Sequence, residues 1–489
     1  MLTFIVFFPV LGALAIAFLP RQQEQRAKQM AAVVAAIVFV VSLVMFALFD
    51  RDASGFQFTE QIRWIRAGSA GFDIQYFLGI DGLGLVMVVL TTFLFVLAIL
   101  ISWNIDLRPK EYFAWMLVLE TGVLGVFTSL DLILFFLFWE VELVPMYMLI
   151  SIWGTGRKEY SAIKFVLYTI AGSALMLVGI LVLAFSADPQ SFDMTVLMGA
   201  DIRDTLLPLP AIFFLIFAAF AIKLPVFPFH TWLPDAHTDA PTAVSVILAG
   251  VLLKMGGYGM IRICVSILPE VAKDYGVWLA AFAAVSVIYG ALVTLRQTDL
   301  KRLIAYSSVS HMGYVLLGIA AFGQVALTGA ALQMFTHGTI TGLLFVMVGL
   351  VYNRTHTRDI AVLRGLAHHM PVIATVMVIA GLASLGLPSM SGFVAEAMVF
   401  LGSVKAFAPA TIFAVVGIVL TAGYILWMVE RVFFGPKTEE WAELGDASSW
   451  WEHVPMAALV AVIIGVGVYP AAIVDVLNRG IEPIIARLG

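Results

Sequence analysis

Runs of about 20 consecutive, mostly apolar residues recur along the whole chain, and this feature limits the possible folds more than any other. About 20 residues is the length that a helix needs to cross the hydrocarbon core of a bilayer. Of the 489 residues, 62% are hydrophobic and 12% are charged, whereas a soluble domain is about half apolar and a quarter charged. The sequence therefore predicts an all-α polytopic membrane protein.

We predict about fourteen transmembrane helices from the positions of these apolar runs. Their ranges are 2–19, 30–49, 78–103, 112–130, 132–153, 164–185, 209–229, 242–265, 277–295, 302–321, 326–352, 371–400, 411–434 and 454–474. The longest polar connections, 50–77 and 435–453, are shorter than a typical soluble domain. The chain is therefore expected to lie almost wholly within the membrane and at its two surfaces.

The composition excludes several classes of function. A net charge of −5 indicates no affinity for nucleic acid. The one cysteine, Cys264, excludes an internal disulfide, a four-cysteine iron–sulfur cluster and a CxxCH haem attachment site. Neither a GxGxxG motif nor a P-loop is present, so any dinucleotide or nucleotide chemistry is expected elsewhere. We expect no metal and no cofactor in this chain. The first apolar segment, Leu2 to Leu19, lacks the basic region and cleavage site of a signal peptide and is predicted to be a retained span.

Lysine and arginine are distributed unequally between the two sets of loops. Loops after odd-numbered spans carry about 16 of them, beginning with Arg21, whereas the opposite loops carry about 8, including Arg203. By the positive-inside rule, the odd-numbered loops face the cytoplasm. Both termini then face outward, which in a bacterial inner membrane is the periplasmic side.

Two spans carry prolines at equivalent places, which indicates an internal repeat. Pro225 and Pro228 interrupt one span and Pro388 interrupts another, and Leu224-Pro225 recurs as Leu387-Pro388 after 163 residues. Two five-span units would follow each other at this offset, and because five is odd the second would be inverted. The predicted divisions are an N-terminal three-helix segment (1–104), a first repeat (112–265), a second repeat (277–434) and a C-terminal loop with the last helix (435–489). Coincidence is the alternative, since proline is commoner in membrane helices than in soluble ones.

Ionisable residues within the predicted spans are the main candidates for function, because a charge at the bilayer centre costs at least about 2.5–3.5 kcal/mol. Lys223 precedes the first break, where the free carbonyls of the ending helix suit an ammonium group. Lys254 lies near the middle of its span, with Tyr258 one turn away. Glu140 and Glu142 lie two residues apart in the fifth span, so at most one of them points along a given pathway. The structural alternative is a static ion pair that fixes helix packing for Lys223, and snorkelling or helix capping for the two glutamates.

Two histidines and a second-repeat glutamate extend this set. His311 and His337 lie on polar stripes of apolar helices, with Ser307 and Ser308 one turn before His311. An imidazole titrates near neutral pH and suits a proton relay. Glu396 follows the second break, where the positive end of the next half-helix favours a carboxylate. The alternatives are histidines bonded across a helix interface, or a bis-histidine haem, which the polar neighbours favour less than a water wire.

Some polar residues have no clear place in such a pathway. Glu120 lies mid-span in the fourth helix, where a titrating and a structural role are equally open. The segment HTWLPDAHTDAP offers His230, Asp235, His237 and Asp239, but their spacing matches no standard metal site. A cytoplasmic loop that shapes proton uptake is favoured there over a metal site. The aromatic-rich VFPFHTW is interpreted as packing around the break rather than as a quinone site.

Four segments of the chain carry a family resemblance: FWEVELVPMY, IKLPVFPFHTWLPDAHTDAPTAVSVILAGVLLKMGGYG, LKRLIAYSSVSHMGYV and GLPSMSGFVAE. They resemble the antiporter-like membrane subunits of respiratory complex I (NADH:quinone oxidoreductase), and the likeness extends over nearly the whole chain. That family has fourteen core helices and two inverted five-helix repeats with one broken helix each, so the resemblance implies the same fold here.

The resemblance also implies roles for the residues near the first break. Glu140 would be the coupling carboxylate of the fifth helix, and Lys223 would be its partner on the broken seventh helix. Glu142 does not belong to the implied pattern.

For the remaining residues the resemblance implies a row across the protein. Lys254 would be the central lysine and Glu396 the terminal group, with His311 and His337 at relay or helix-bonding positions between them. The sister subunits usually have lysine where this chain has Glu396, so the glutamate favours the M-type members of the family.

The function implied by the resemblance is proton translocation by a subunit without a redox centre. Flavin, iron–sulfur clusters and quinone are expected in partner subunits, and sister antiporter-like subunits are expected beside it in the membrane. A change in the Glu140–Lys223 attraction would then pass a proton through Lys254 and the histidines. The alternatives are a subunit of a multisubunit sodium/proton antiporter, a subunit of a membrane-bound hydrogenase complex, and a purely structural arm.

Overall fold

The computed structural model describes residues 1–20, 22–66, 73–202, 205–437 and 439–488. Arg21 and Arg203, which contribute to the predicted charge asymmetry, lie outside these ranges. Within them, eleven helices are long and apolar enough to cross a membrane, and four shorter apolar helices accompany them. The chain is therefore an all-helical multi-pass membrane protein apart from two small strand pairs.

The first part of the chain contains ten helices and both strand pairs. In order these are α1 (Leu2–Ala17), α2 (Glu24–Leu48), β1 (Gln57–Arg66), β2 (Asp73–Ile80), α3 (Gly82–Ile101), α4 (Pro109–Thr128), α5 (Leu132–Val141), α6 (Leu143–Trp153), α7 (Lys158–Ser186), β3 (Ala187–Asp188), α8 (Met194–Leu197), β4 (Asp201–Ile202), α9 (Leu209–Lys223) and α10 (Trp232–Asp239).

The second part is helical throughout. It contains α11 (Thr242–Ile247), α12 (Leu253–Gly259), α13 (Pro269–Asp274), α14 (Gly276–Thr294), α15 (Leu300–Ala320), α16 (Gln324–Thr355), α17 (Pro371–Ser384), α18 (Ser391–Ser403), α19 (Ala408–Phe433), α20 (Trp450–Val468) and α21 (Ala471–Leu488). Two π-helical turns, Leu248–Leu252 and Met260–Val265, flank α12 and join it to α11, so that Thr242–Val265 is one continuous span, called the central span below.

Helices are interrupted at both of the breaks that the repeated Leu-Pro pairs predict. After α9 the chain turns through Pro225 and Pro228 before α10 begins, because proline has no N–H with which to continue the helical ladder. The gap between α17 and α18 contains Pro388, and it also contains Gly386 and Ser389 in left-handed conformations, with φ of +78° and +76°. Backbone groups freed at such breaks must be buried in protein or face a polar cavity.

The connection predicted as a polar loop at 50–77 is largely a β-hairpin. Strands β1 and β2 pair antiparallel, and β2 leads directly into α3. The C-terminal helix α21, which the predicted span list did not contain, packs on the start of α3. There a Cβ at Gly82 would lie 1.8 Å from the Val476 carbonyl oxygen, and a Cβ at Gly480 would lie 2.4 Å from the Leu83 nitrogen. We call this end of the bundle the hairpin side.

A backbone bridge at the start of α5 recurs at the start of α15. Asp131 caps α5 and bridges antiparallel to Asp193, and Asp299 caps α15 and bridges in the same way to Asp359. Asp131 belongs to the hairpin side, since its carboxylate accepts a hydrogen bond of 3.0 Å from the N–H of Gln75 in β2.

The second bridge lies at the other end of the bundle. Arg358 pairs with Asp299 at 3.2 Å and lines a cavity together with Ile101, the last residue of α3. Since α3 begins on the hairpin side and spans about 30 Å, the two bridges lie on opposite sides of the protein.

The central span and α16 form the core of the bundle. Both are buried along their whole membrane-spanning length, and α15 is almost wholly buried, whereas α2, α19 and α20 expose most of theirs. The polar residues of the central span, α15 and α16 are therefore shielded from lipid by the surrounding helices.

Candidate functional site

A buried ion pair lies at the first helix break. Lys223 is the last residue of α9, and its amine donates to a carboxylate oxygen of Glu142, with both side chains fully buried. The amine also lies 5.5 Å from the ring centre of Trp139 and 5.0 Å from that of Phe165, within the range of cation–π attraction. The second oxygen of Glu142 is buried and has no hydrogen-bond partner in the described residues.

The predicted pairing of Lys223 with Glu140 is wrong, because Glu142 takes that place. The helix is interrupted at Glu142, between α5 and α6, where Pro145 lacks the N–H that would bond to the carbonyl of Val141. Glu140, two residues earlier, is partly buried and makes no ion pair with Lys223; its Oε1 is buried and has no hydrogen-bond partner in the described residues. Its neighbours in the chain include Val144, which is 52% exposed on the outer surface.

Lys254 lies in the middle of the central span with no exposed surface. Its amine donates to the carbonyl of Ala249, which belongs to the first π-helical turn, and lies 2.8 Å from Nδ1 of His337 on α16. Gly256 brings this span against the first break, since a Cβ there would lie 2.7 Å from the Leu224 nitrogen. Among the described residues, no carboxylate lies within ion-pair distance of the Lys254 amine. Its charge is therefore shared with His337 rather than neutralised.

His311 on α15 is held by two carbonyl groups and faces a carboxylate. Nδ1 lies 2.8 Å from the Ser307 carbonyl oxygen, and Nε2 lies 3.1 Å from that of Ser384 and 3.8 Å from Oε1 of Glu396. A neutral imidazole carries one N–H and can donate to only one of the two carbonyls, whereas the imidazolium donates to both. The surroundings of His311 are therefore suited to a residue that takes up a proton.

A small cavity joins the two histidines to Glu396. It has a volume of about 10 Å³, and its lining includes His311, His337 and Glu396. This volume is about what one water molecule requires, and it has no room for a haem between histidine rings whose centres are 5.7 Å apart. One water there could bridge Nε2 of His337, which has no other partner in the described residues, to the Glu396 side.

The accessory residues predicted from the sequence are not all part of this row. The Ser307 and Ser308 hydroxyls donate to the Ile304 carbonyl in their own helix. The Tyr258 hydroxyl donates to the Phe127 carbonyl at 3.1 Å, away from Lys254. Glu120 is fully buried, and neither of its oxygens has a partner in the described residues.

Two further residues lie between the row and the end of the bundle opposite the hairpin: Lys301, to which sequence reasoning gave no role, and His237, which it placed in a segment that shapes proton uptake. Lys301, counted only as a loop cation, is buried and lines a cavity of about 380 Å³. His237 is fully buried, stacks on Phe345 at 4.6 Å, and lies within electrostatic range of both Lys301 and Lys254. Neither ring nitrogen of His237 has a partner in the described residues.

The acidic residues of HTWLPDAHTDAP are engaged separately. Asp235 pairs with Lys164 at 2.7 Å and with Arg302 at 3.3 Å, and Asp239 accepts a hydrogen bond of 2.6 Å from Ser161. In the part of the chain that the structure describes, no three His, Cys, Asp or Glu side chains are grouped to hold a metal ion. This segment therefore joins α7, α10 and α15 next to the 380 Å³ cavity.

Sequence comparisons place the chain among quinone oxidoreductase subunits. A family described as "NADH:quinone oxidoreductase/Mrp antiporter, TM" matches residues 129–421. NADH-quinone oxidoreductase subunit M of Rhodobacter capsulatus is 40% identical over 500 residues, which cover 99% of this chain and 96% of that protein. NAD(P)H-quinone oxidoreductase chain 4 1 of Synechococcus elongatus is 44% identical over 477 residues, which cover 96% and 88% of the two chains.

Solved structures share the fold over the full length. A chain of respiratory complex I from Thermus thermophilus with bound NADH superposes with a TM-score of 0.90 at 27% identity, and all of both chains is covered. A chain of the Mrp complex from Dietzia sp. DQ12-45-1b gives a TM-score of 0.87 at 21% identity, covering 100% and 99% of the two chains. At that identity the second likeness concerns the fold alone.

Proposed function

Since this chain belongs to the family of NADH:quinone oxidoreductase subunit M, the proton-translocating membrane subunits of complex I, we propose that its buried row of residues is the proton path. The row runs from Lys254 through His337 and His311 to Glu396. The proposal rests on one observation, the continuity of this row. The Lys254 amine lies 2.8 Å from Nδ1 of His337, Nε2 of His311 lies 3.8 Å from Oε1 of Glu396, and a water-sized cavity adjoins both histidines.

The chain would work as one subunit of a larger complex in a bacterial inner membrane. Flavin, iron–sulfur clusters and quinone would be held by partner subunits, and sister antiporter-like subunits would lie beside this one. The odd-numbered loops and the 380 Å³ cavity would face the cytoplasm, and the hairpin side would face the periplasm.

We also propose that the long and the short apolar helices combine into fourteen spans with two inverted five-helix repeats. The two helix breaks support this division, since each lies in the fourth span of its unit. The equivalent bridges Asp131–Asp193 and Asp299–Asp359 support the inversion, because they occupy the same place in each unit but lie on opposite sides of the protein.

Proton uptake would begin at the 380 Å³ cavity. Lys301 borders this cavity, and His237 lies within electrostatic range of both Lys301 and Lys254. A histidine with both ring nitrogens unpaired can accept a proton on one side and release it on the other. The proton would thus reach Lys254 without passing through the lipid-facing helices.

The carboxylates next to the first break would control the path. Glu140 is partly buried next to the exposed Val141 and Val144, where a sister subunit would pack, whereas Glu142 holds Lys223. At an effective dielectric of about 20, unit charges 4 Å apart attract by roughly 4 kcal/mol. An energy of this size changes the ratio of the protonated to the deprotonated form of a group by a factor of about a thousand. A charge arriving beside Glu140 would weaken or strengthen the Glu142–Lys223 pair and so alter the field at Lys254.

Transfer would then follow the histidines. When the Lys254 proton moves to Nδ1 of His337, the imidazolium can release the proton from Nε2 toward the small cavity. His311 can hold it between two carbonyl groups before Glu396 accepts it.

The experiment is proton pumping by the complete complex in proteoliposomes with NADH and quinone. Lys254→Met and Glu396→Gln should each lower the number of protons pumped per electron, because each breaks the row. Lys405→Met, which removes an exposed lysine from the loop after α18, should pump normally. Normal pumping by both row variants would reject the proposal, and pumping that requires sodium would favour the antiporter alternative.

A further inference from the structure

An ion pair on the hairpin side has no part in the proposed row. Arg262 lies in the second π-helical turn of the central span and is 2% exposed, and its Nη2 lies 2.5 Å from Oδ2 of Asp81. The other oxygen of Asp81 accepts a hydrogen bond of 3.0 Å from the N–H of Gly84 and so caps α3. The guanidinium and the carboxylate are therefore both fixed to helix backbones.

Aromatic rings enclose the same guanidinium. It lies 4.9 Å from the ring centre of Phe56 and 5.4 Å from that of Tyr258, within the range of cation–π attraction. Its Nε lies 3.4 Å from the Tyr258 hydroxyl, whose own hydrogen goes to the Phe127 carbonyl. The hydroxyl proton is thus committed to a backbone acceptor, and Tyr258 does not extend the row beyond Lys254.

Arg262 lies between Lys254 and a cavity on the hairpin side. The central span carries Lys254, Tyr258 and Arg262 at intervals of four residues. Lys254 and Arg262 are therefore about 12 Å apart along the axis of the span. Beyond Arg262 is a cavity of about 180 Å³ whose lining includes Ser266 and the exposed Arg479 of α21. On the face of the span that carries Lys254, Tyr258 and Arg262 are the next residues at helical spacing toward this cavity.

We propose that Arg262, clamped by Asp81, is an electrostatic barrier that prevents protons on Lys254 from escaping to the hairpin side. This inference rests on the proposed proton path through Lys254. A guanidinium repels hydronium and other cations, and it stays protonated, so it cannot pass a proton on by losing its own. With this route closed, the remaining path from Lys254 is through His337 toward Glu396.

The alternative is a purely structural pair that fixes α3 to the central span. Charge separates the two possibilities. A barrier requires a cation at position 262, whereas a structural tie requires a side chain that fills the space and bonds to Asp81. Arg262→Gln retains hydrogen bonding without the charge, and Arg262→Lys retains the charge without the planar fork.

The test is the passive proton leak of the complete complex in proteoliposomes without NADH. A pH gradient is imposed and its decay is followed with a pH-sensitive dye. For Arg262→Gln we expect a decay on the order of tenfold faster than wild type, from the loss of a unit charge about 12 Å from Lys254 at an effective dielectric of about 20. Arg262→Lys and the rim control Arg479→Gln should retain the wild-type decay. A wild-type decay for Arg262→Gln, or equal leaks for Gln and Lys, would overturn the barrier.

A double variant separates this inference from the proposed function. Adding Lys254→Met to Arg262→Gln should restore the slow decay, because the leak is expected to pass through Lys254. A double variant that still leaks contradicts the barrier. The proposed function is judged independently, by NADH-driven pumping of Lys254→Met alone.

A second measurement covers the case in which Arg262→Gln does not assemble. With Arg262 intact and Cys264 replaced by alanine, Ser266→Cys on the cavity side should react with a charged, membrane-impermeant thiol reagent from the hairpin side. Met255→Cys, on the far side of Arg262, should not react. Labelling of both positions would show that water and ions pass Arg262, and this would overturn the barrier. Protection of both positions would show that the cavity is closed to ions before they reach Arg262, and this would overturn the barrier as well.

Discussion

At the scale of single residues, the buried charges divide into two kinds. Lys223 and Arg262 each have a carboxylate partner, Glu142 and Asp81, in direct contact. Lys254, by contrast, has only a backbone carbonyl and a histidine nitrogen as close partners in the described residues. A buried charge without a counter-ion is expensive and is readily neutralised by losing or gaining a proton. The unpaired groups are therefore the ones suited to carry protons, and the paired ones are suited to control them.

The Glu142–Lys223 pair can be tested by removing one partner and then both. Glu142→Gln leaves the buried ammonium of Lys223 without its counter-charge, which should cost about 3–5 kcal/mol and lower the amount of assembled complex. Replacing both residues, as Glu142→Leu with Lys223→Met, should restore assembly while pumping stays low. Assembly is measured from the complex content of purified membranes. Equal losses in the single and double variants would contradict a direct pair.

His337 provides a test of the relay itself. His337→Gln can still accept a hydrogen bond from Lys254 but cannot take up and release a proton at neutral pH. We therefore expect proton transfer through the row to slow by about 10²–10⁴-fold, the usual contribution of an acid–base group, so that pumping per electron falls while assembly stays normal. His453→Gln removes an exposed histidine of α20 and is the matched control. Pumping at the wild-type level in His337→Gln would exclude this residue from the path.

The pairing at the first break could not be predicted from spacing. Positions 140 and 142 were recognised as lying on opposite helix faces, but the sequence does not state which face meets α9. That choice depends on the interruption at Glu142, caused by a proline three residues later, and on how α5 and α6 are turned in the bundle. His237 was likewise noted in a polar segment, but its burial beside Phe345 is a property of the packed bundle.

At the scale of elements, interrupted or irregular helices lie next to Lys223, Lys254, His311 and Glu396, whereas His337 lies in the uninterrupted helix α16. The break after α9 exposes carbonyls near Lys223, the π-helical turn before α12 provides the carbonyl that accepts from Lys254, and the Ser384 carbonyl at the end of α17 accepts from His311. Each polar group replaces a lost helical hydrogen bond or uses a freed one. The prolines made both breaks predictable, whereas nothing in the apolar sequence around Gly250 indicated π-helical turns.

The close contact between α3 and α21 should be sensitive to single methyl groups. Gly480→Ala would place a Cβ 2.4 Å from the Leu83 nitrogen, which is backbone and cannot move away easily. We expect a loss of about 1–3 kcal/mol in stability, as for other overpacked sites. Gly465→Ala, in α20, has no atom within 4 Å of the added carbon and is the control. The measurement is the thermal unfolding temperature of the purified complex, and equal values for the two variants would contradict the packing.

Surface elements were the hardest to predict because their sequence signals are weaker than a membrane span. In the strands Gln57–Arg66 and Asp73–Ile80, apolar and polar residues alternate less regularly than in a typical half-buried strand. The sequence therefore predicts a polar loop there rather than a hairpin. Helix α21 has one apolar face and one polar face rather than a continuous apolar run, so a search for spans passes over it. Both elements lie on the same side of the protein, where α21 and the residues flanking the hairpin, Phe56 and Asp81, line the 180 Å³ cavity.

At the scale of the whole molecule, two cavities lie at opposite ends of the central span and differ in what separates them from Lys254. Thr242, at its start, lines the 380 Å³ cavity, and Arg262, near its end, lines the 180 Å³ cavity. On the first side the intervening group is His237, which can exchange a proton, and on the second it is an arginine in an ion pair, which cannot. This asymmetry gives the central lysine access from one side of the membrane, and the second repeat then provides the route toward the other.

The direction of such a path depends on how the chain is oriented, and single cysteines can test the orientation. Ser54 is exposed on the hairpin side, and Glu159 is exposed in the first turn of α7 at the opposite end. If the odd-numbered loops are cytoplasmic, Ser54→Cys should react with a membrane-impermeant thiol reagent in intact spheroplasts, and Glu159→Cys should react only after permeabilisation. Native Cys264 is buried and should stay unlabelled in both cases, as mass spectrometry of the labelled peptides can check. The reverse pattern would place the 380 Å³ cavity in the periplasm, and uptake through Lys301 and His237 would then run against the expected direction of pumping.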